Sequence, residues 1–302
     1  MKANTENVLP NFLIVGASKC GTTALYYYLK QHPEIGFPDL KEPKYFSSKF
    51  LTFPHNGPGD TTVDKYAVRD FETYTDLFSD LDNYKKIGEA SPDYIYYHQK
   101  TVDEIKRKLG DIPIIIILRN PVHRAFSAYK YLVRDSREKR SFREALNLEE
   151  ERLQDNWDFI WAYKKAGEYY SQVKSFRDNF TNVKIIIQEK MIKDTDKNVR
   201  ETLKFLDLDE NVQLNTGIKY NESGRPNNIL AKFLLSRNNK VSARIREIMK
   251  SIIPRTILEK VASKSLSSMK INFKDEKYLQ TYFKEENEKL FDLLGYRIEE
   301  WD

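Results

Sequence analysis

A single cysteine, Cys20, stands in 302 residues. A lone thiol excludes an internal disulfide framework and fits a reducing compartment. No apolar run approaches the roughly 20 residues that a membrane-crossing helix needs. The polar stretch Met1 to Pro10 lacks the basic-then-apolar order of a secretory leader, so a cytoplasmic location is expected. Glycine-serine tracts, tandem repeats and low-complexity blocks are missing too. Nothing marks a linker, and one domain over residues 1–302 is expected. Charge of one sign is scarcely in excess: 50 Lys and Arg face 45 Asp and Glu, for a formal net charge of +5. Nucleic-acid binding would need a concentrated patch rather than this global balance and is not expected, whereas small anions are sufficient partners for it.

What is present begins with Phe12 to Val15, a short apolar run that reads as a buried strand. Gly16 and Gly21 bracket the loop that follows, and Thr22 to Gln31 reads as a helix. Glycines there let the backbone turn sharply and let its amides approach an anion. The unpaired N–H groups and the positive dipole end of the helix then point at the loop. The pattern is a phosphate cradle, but it is not the nucleotide P-loop G-x-x-x-x-G-K-[ST], because Thr22 follows Gly21 where lysine is required. The lysine lies inside the loop instead, at Lys19, within reach of the group attached to a 5′-phosphate. The residues Gly16, Ser18, Lys19, Cys20, Gly21, Thr22 and Thr23 resemble the phosphosulfate-binding loop of the sulfotransferases, which use 3′-phosphoadenosine 5′-phosphosulfate (PAPS). Two other readings stay open here: ordinary P-loop phosphoryl transfer, and a strand-to-helix turn with a solvated lysine. Cys20, without a histidine nearby in sequence, reads as a small loop filler rather than a nucleophile.

Further along, Lys41-Glu42-Pro43-Lys44-Tyr45-Phe46-Ser47 packs a carboxylate, two ammonium groups and two aromatics into a break enforced by Pro43. Its charges therefore do not belong to a regular solvated helix face; the alternative is an exposed turn glutamate. The segment resembles the one that holds the general base in the carbohydrate branch of the sulfotransferases, notably those acting on heparan sulfate. The resemblance assigns the base to Glu42 and acceptor contact to Glu42 and Lys44. A carboxylate placed to take a sugar hydroxyl's proton is worth about 10² to 10⁴ in rate. Pro33 ends the first helix, and His32 before it reads as a helix-end residue. Thr52 to Asp60 reads as a loop, Asp70 to Phe78 as a helix, and Lys86 to Tyr94 as a strand running into a loop. Relatives carry a lysine where this chain has Ala90, and Glu89 beside it is a candidate second acidic group facing the acceptor.

Lys100 to Leu109 reads as an amphipathic helix, and Pro113 to Leu118 as a central parallel strand with no polar face. The strand ends in Arg119-Asn120, and Pro121 suits the first turn of the next helix. A kinase of the Walker type would end this strand with an acidic residue for Mg²⁺. The stretch Arg119 to Tyr129 resembles the 3′-phosphate motif of the sulfotransferases, which assigns that role to Arg119 and Ser127. Arg124 reads as a surface or salt-bridge residue, and Glu149 to Arg152 as a solvated face. Trp161, Tyr163, Tyr169 and Tyr170 line a sugar cleft or, at helical spacing, pack in the core. Val183 to Ile187 is a strand, Asp194 to Leu206 a helix, and Asp275 to Leu294 a long helix ended by Gly295, with Trp301 pinning the tail. Tyr220 to Pro226 resembles the late loop that closes over the donor, which brings in Gly224 and Arg225. The basic, apolar-interleaved stretch from about 228 to 270 reads as a helical insertion with three open roles: docking to an anionic glycan, contact with an anionic membrane surface, or a solvated face.

The expectation is a P-loop-like three-layer α/β/α fold with a central parallel sheet and added C-terminal helices. The resemblance implies an O-sulfotransferase that moves a sulfuryl group from PAPS to a carbohydrate, glycoconjugate or glycolipid hydroxyl and leaves PAP, without a metal. Glu42 and Lys19 are the expected catalytic pair. A Mg-ATP-dependent P-loop kinase, and a non-catalytic anion- or glycan-binding protein of the same fold, are the alternatives.

Overall fold

The computed structural model describes residues 7–217, 225–226 and 266–301. Its five-stranded sheet holds β1 (Phe12–Gly16), β2 (Ile35–Gly36), β3 (Lys86–Ala90), β4 (Ile114–Leu118) and β5 (Val183–Ile187), all parallel, in the order β2-β3-β1-β4-β5. The two apolar runs of the sequence, β1 and β4, are buried at every position and lie side by side. Strands covered on both faces have no use for alternating polar residues, which is why these two read as unbroken hydrophobic runs.

Helix α1 (Thr22–Leu29) carries the chain from β1 toward the β2 edge, whereas α2 (His98–Leu109) carries it from β3 across β1 to β4. Right-handed crossovers that travel in opposite directions place their helices on opposite faces of the sheet. The packing agrees. With α3 (Pro121–Arg134), α4 (Tyr169–Asn179), α5 (Thr195–Phe205) and α6 (Phe273–Leu294) following in order, α2 packs on α4 and α4 on α6, while α1 packs on α5. The expected three-layer α/β/α arrangement is therefore present. The chain leaves β1 and β4 in different directions, which opens a crevice at their C-terminal ends.

Helix ends follow local chemistry. The Asn120 side chain accepts from the Val122 N–H at 3.0 Å and Pro121 fills the first helical position of α3, where no N–H is needed. Asn272 caps α6 through the Asp275 N–H at 2.9 Å, and Gly295 ends it at φ 78°. Trp301 is buried against Tyr169 and Phe291, with Nε1 3.3 Å from Glu189 Oε2, so it does pin the tail. His32 is buried and structural: one ring nitrogen lies 3.1 Å from the Asp209 carbonyl, and Nδ1 accepts the Glu34 N–H.

Two surface expectations are overturned. Arg124 is 1% exposed, and its Nη2 donates to the carbonyls of Ala162 at 3.1 Å and Tyr163 at 2.5 Å. Helical spacing explains it, since residues 124, 127 and 128 share the inward face of α3. In the second case Glu149 and Arg152 are both buried. Glu149 accepts from the N–H groups of Lys164 and Lys165, and Arg152 pairs with Glu138 at 2.6 Å. Trp161, Tyr163 and Tyr169 are core residues and Tyr170 is half-buried. Arg225–Pro226 pairs antiparallel with Leu266–Ser267. Gly224 and most of the expected basic insertion, residues 228–265, lie outside the described residues.

Candidate active site

The loop between β1 and α1 is held by a few specific contacts. Gly16 has φ 151°, and a Cβ there would stand 2.2 Å from Ile95 Cγ2, so only glycine fits beneath the loop. Gly21, at φ 100°, opens α1 in the left-handed region. The Ala17 N–H donates to the Ile117 carbonyl at 2.7 Å, which ties the loop to β4. Arg119, one residue past β4, donates from Nη1 to the Lys19 carbonyl at 3.3 Å. The N–H groups of Lys19, Gly21, Thr22 and Thr23 make no hydrogen bond among the described residues. Four free amides at the head of a helix are an anion site in waiting.

A cavity of about 560 Å³ opens over this loop, within the usual size of small-molecule sites. It collects residues from four separated stretches: Ser18, Lys19, Gly21, Thr22 and Thr23 from the loop, Glu42 and Lys44, Arg119 at the end of β4, and Ser127 on α3. Six lining side chains are cationic (Lys19, Lys41, Lys44, Arg119, Arg134, Arg137) against two acidic ones, Glu42 and Asp158. A formal excess of four positive charges suits a multiply charged anion.

Cys20 points away from this cavity. Its sulfur lies 3.5 Å from the Tyr169 hydroxyl, and burial pushes the thiol up to about 11, so it stays protonated at neutral pH. Glu89 corrects an expectation: it faces the core, not the acceptor side. It has no solvent exposure and accepts from the hydroxyls of Tyr74 at 3.0 Å and Tyr94 at 2.9 Å. Burial pushes its carboxyl up to about 7 against hydrogen bonds from Ser91, Tyr94 and Tyr74. The physical reason is that β3 is buried on both faces at this point, which leaves no side for a solvent-facing carboxylate. Of the late-loop pair, Gly224 is outside the described residues and Arg225 is described only by its backbone pairing.

Reading the sequence missed several lining residues. Tyr131 and Arg134 sit about one and two turns beyond Ser127 on α3, so helical periodicity was the available signal. The Lys19 ammonium lies over the Tyr131 ring, 4.2 Å from its centre. Arg137 ion-pairs with Asp60 and donates from Nε to the Pro58 carbonyl at 2.6 Å. Asp158 lies 3.8 Å from the Lys44 ammonium. No local pattern announces these two pairs, because each joins residues far apart in sequence.

Electrostatics separate the three polar groups nearest the loop. Burial, then the neighbouring Arg134, push the Lys19 ammonium down to about 7. Burial opposes the charge of Lys44 as well, but Asp158, Asp93 and Glu42 outweigh it and hold its pKa above the ordinary lysine value. For Glu42, burial raises the pKa, yet Lys41 first, then Lys44 and Lys19, hold the carboxyl below its usual range. Glu42 and Lys44 stand at φ 60° and 57° on either side of Pro43. A non-glycine residue in that region costs of order 1–3 kcal/mol, and such conformations cluster at functional sites. Lys41 Nζ is in contact with Glu42 Oε1 and donates to Thr23 Oγ1 at 3.1 Å.

Comparison with known proteins shows the family. The model of the sulfotransferase family matches residues 10–211. A sulfotransferase crystal structure from Alicyclobacillus acidocaldarius superposes with a TM-score of 0.78 at 32% identity, over 97% of this chain and 98% of that one. The membrane-associated sulfotransferase kil1 of Dictyostelium discoideum is 39% identical over 125 residues, 41% of this chain and 23% of that protein. Human carbohydrate sulfotransferase 15 is 31% identical over 170 residues, 45% of this chain and 29% of that protein. A mouse bifunctional heparan sulfate N-deacetylase/N-sulfotransferase is 32% identical over 134 residues, 43% of this chain and 14% of that protein. The chain thus spans less than a third of the length of these curated relatives.

Proposed function

Because the chain belongs to the sulfotransferase family, we propose that it moves a sulfuryl group from PAPS to a hydroxyl of a carbohydrate or glycoconjugate. One observation carries the reading. A cradle of free amides, the side chains of Arg119 and Ser127, and the Glu42 carboxylate from a distant segment line the same cavity. The residues present fit the donor: the N–H groups of Lys19 and Gly21 to Thr23 suit a 5′-phosphate, and Arg119 with Ser127 suits a 3′-phosphate. An Arg-to-phosphate hydrogen bond is worth about 1.5 to 3 kcal/mol, enough to prefer such a nucleotide over one lacking that phosphate.

The donor supplies activated sulfur: an S–O bond forms to the acceptor oxygen, the S–O bond to the 5′-phosphate breaks with its electron pair kept by the phosphate, and the acceptor proton goes to Glu42. Lys19 and the loop amides stabilise the charge left on the phosphate oxygen. A neighbouring dianion favours the ammonium form of Lys19, so an amine that titrates near 7 in the free site is fully charged when needed. Glu42, ionised in the free protein, takes the proton as the oxygen attacks. Lys44, held charged by Asp158, orients the acceptor. Names of the partial relatives, carbohydrate and heparan sulfate sulfotransferases, support a glycan as acceptor. No helix among the described residues is long and apolar enough to cross a membrane. We infer a cytoplasmic setting from the single cysteine, a composition that fits a reducing compartment.

Transfer of labelled sulfate from PAPS to a panel of glycans, lipids and phenols tests the proposal. Label in a glycan supports it. Label in phenols only would overturn the acceptor class, and no transfer to any of them would overturn the activity. A thermal shift with PAP in chelator, absent with Mg-ATP, separates it from a kinase.

A further inference from the structure

Lys41 stands between the two halves of the site. Its ammonium donates to Thr23 Oγ1 on the first turn of α1 and touches Glu42 Oε1, and all three residues line the same cavity. The Tyr26 ring, also on α1, lies 5.8 Å from Nζ. The side chain is 20% exposed, and its flexible stem with three rotatable donors can exchange partners without moving the backbone.

We propose that Lys41 is a positioning residue that ties the readiness of Glu42 to occupation of the donor loop; the inference rests on the sulfotransferase reading above. With the loop empty, Lys41 clamps Glu42 Oε1, and a carboxylate engaged by an ammonium is a poor proton acceptor. A phosphate seated on the N–H groups of Gly21 to Thr23 brings negative charge to the opposite side of that same ammonium. Lys41 turns toward it, Glu42 Oε1 is released, and the base becomes competent when a donor is in place.

The other charges around Glu42 do not substitute for this one. Lys44 shares its segment but is held by Asp158, and Lys19 on the donor loop lies over Tyr131. Arg119, Arg134 and Arg137 line the same cavity, Arg137 being committed to Asp60 and Arg134 in contact with Asp135 at 2.9 Å. Only Lys41 among these cations is in direct contact with the Glu42 carboxylate. It is also the first of the cations that keep that carboxyl below its usual range against burial.

The test follows the Glu42 carboxyl by carbon-13 NMR against pH in the native protein and in Lys41→Met, each with and without PAP. Lys41 is partly exposed, so the methionine variant leaves the core intact. The phosphate raises the Glu42 pKa in both proteins by direct repulsion. Coupling through Lys41 predicts that the rise in the native protein exceeds that in the variant by at least about one pH unit, since an adjacent opposite charge shifts a carboxyl by 1–3 units. Equal rises overturn the proposal. Calorimetry on the same samples keeps the two readings apart. Failure of the native protein to bind PAP contradicts the sulfotransferase activity itself, whereas binding with equal rises leaves that activity standing and removes the role of Lys41.

Discussion

The two sides of the cavity are built by different means. The proposed donor side is mostly backbone: amides of one loop, held by Gly16, by the bond from Ala17 to β4 and by the first turn of α1. The opposite side is mostly side chain, assembled from Glu42 and Lys44, from Arg137 anchored on Asp60, and from Asp158. A backbone cradle recognises phosphate whatever its side chains do, while a side-chain wall can change specificity one residue at a time. The difference predicts that substitutions on the donor side act on affinity, and that those on the other side divide between turnover and stability.

Four experiments sharpen or break that contrast. The largest effect belongs to Glu42→Gln, which should lower kcat by about 10² to 10⁴ while PAP affinity by calorimetry stays close to native. An unchanged kcat would remove Glu42 as base, and a matching loss of affinity would erase the division between the sides. Next comes Asp60→Ala. It strands the Arg137 guanidinium, whose Nη1 has no partner among the described residues, with the Pro58 carbonyl and the Trp161 ring as its remaining contacts there. Breaking such a buried pair costs about 3–5 kcal/mol, read as a lower urea midpoint; a stable variant would show that the wall does not depend on this ion pair.

Arg119→Ala removes one charge-assisted contact and should weaken PAP binding by about tenfold to a hundredfold, following the 1.5–3 kcal/mol of such bonds. Thermal stability should hardly move, because Arg119 is half-exposed. The smallest effect concerns pH. Burial and Arg134 lower the Lys19 pKa to about 7 in the free protein, and a bound phosphate raises it again. Below pH 7 the ammonium is already present and the Lys19 contribution to PAP affinity is flat. Above it, affinity falls by at most about tenfold per pH unit until the bound-state pKa is passed. Lys19→Met should abolish that slope, and calorimetry in buffers of different ionisation enthalpy should detect proton uptake near neutral pH in the native protein alone.

The same contrast explains what could be read from the chain. The strand-loop-helix unit from Phe12 to Leu29 and the run from Ile114 to Ser127 are local: apolar periodicity, glycine placement and an N1 proline suffice to lay them out, and the observed elements follow within two residues. The segment around Glu42 was visible because Pro43 breaks any regular element there. Arg124, Glu149 and Glu89 were misplaced for one shared reason. Each is an ionisable side chain that hydrogen bonds with distant residues allow to be buried, donated by Arg124 and accepted by Glu149 and Glu89, and those partners cannot be seen without the fold. Arg137 and Asp158 escaped notice because the wall they form exists only after the loop around Asp60 closes on them.

The most direct measurement is the density of PAP in crystals of the native protein grown without divalent metal. The account predicts the 5′-phosphate on the N–H groups of Lys19 and Gly21 to Thr23 and the 3′-phosphate at Arg119 and Ser127, with Glu42 facing the position of the transferred group. A nucleotide seated elsewhere, or bound in reverse with its 3′-phosphate on the glycine loop, would contradict it.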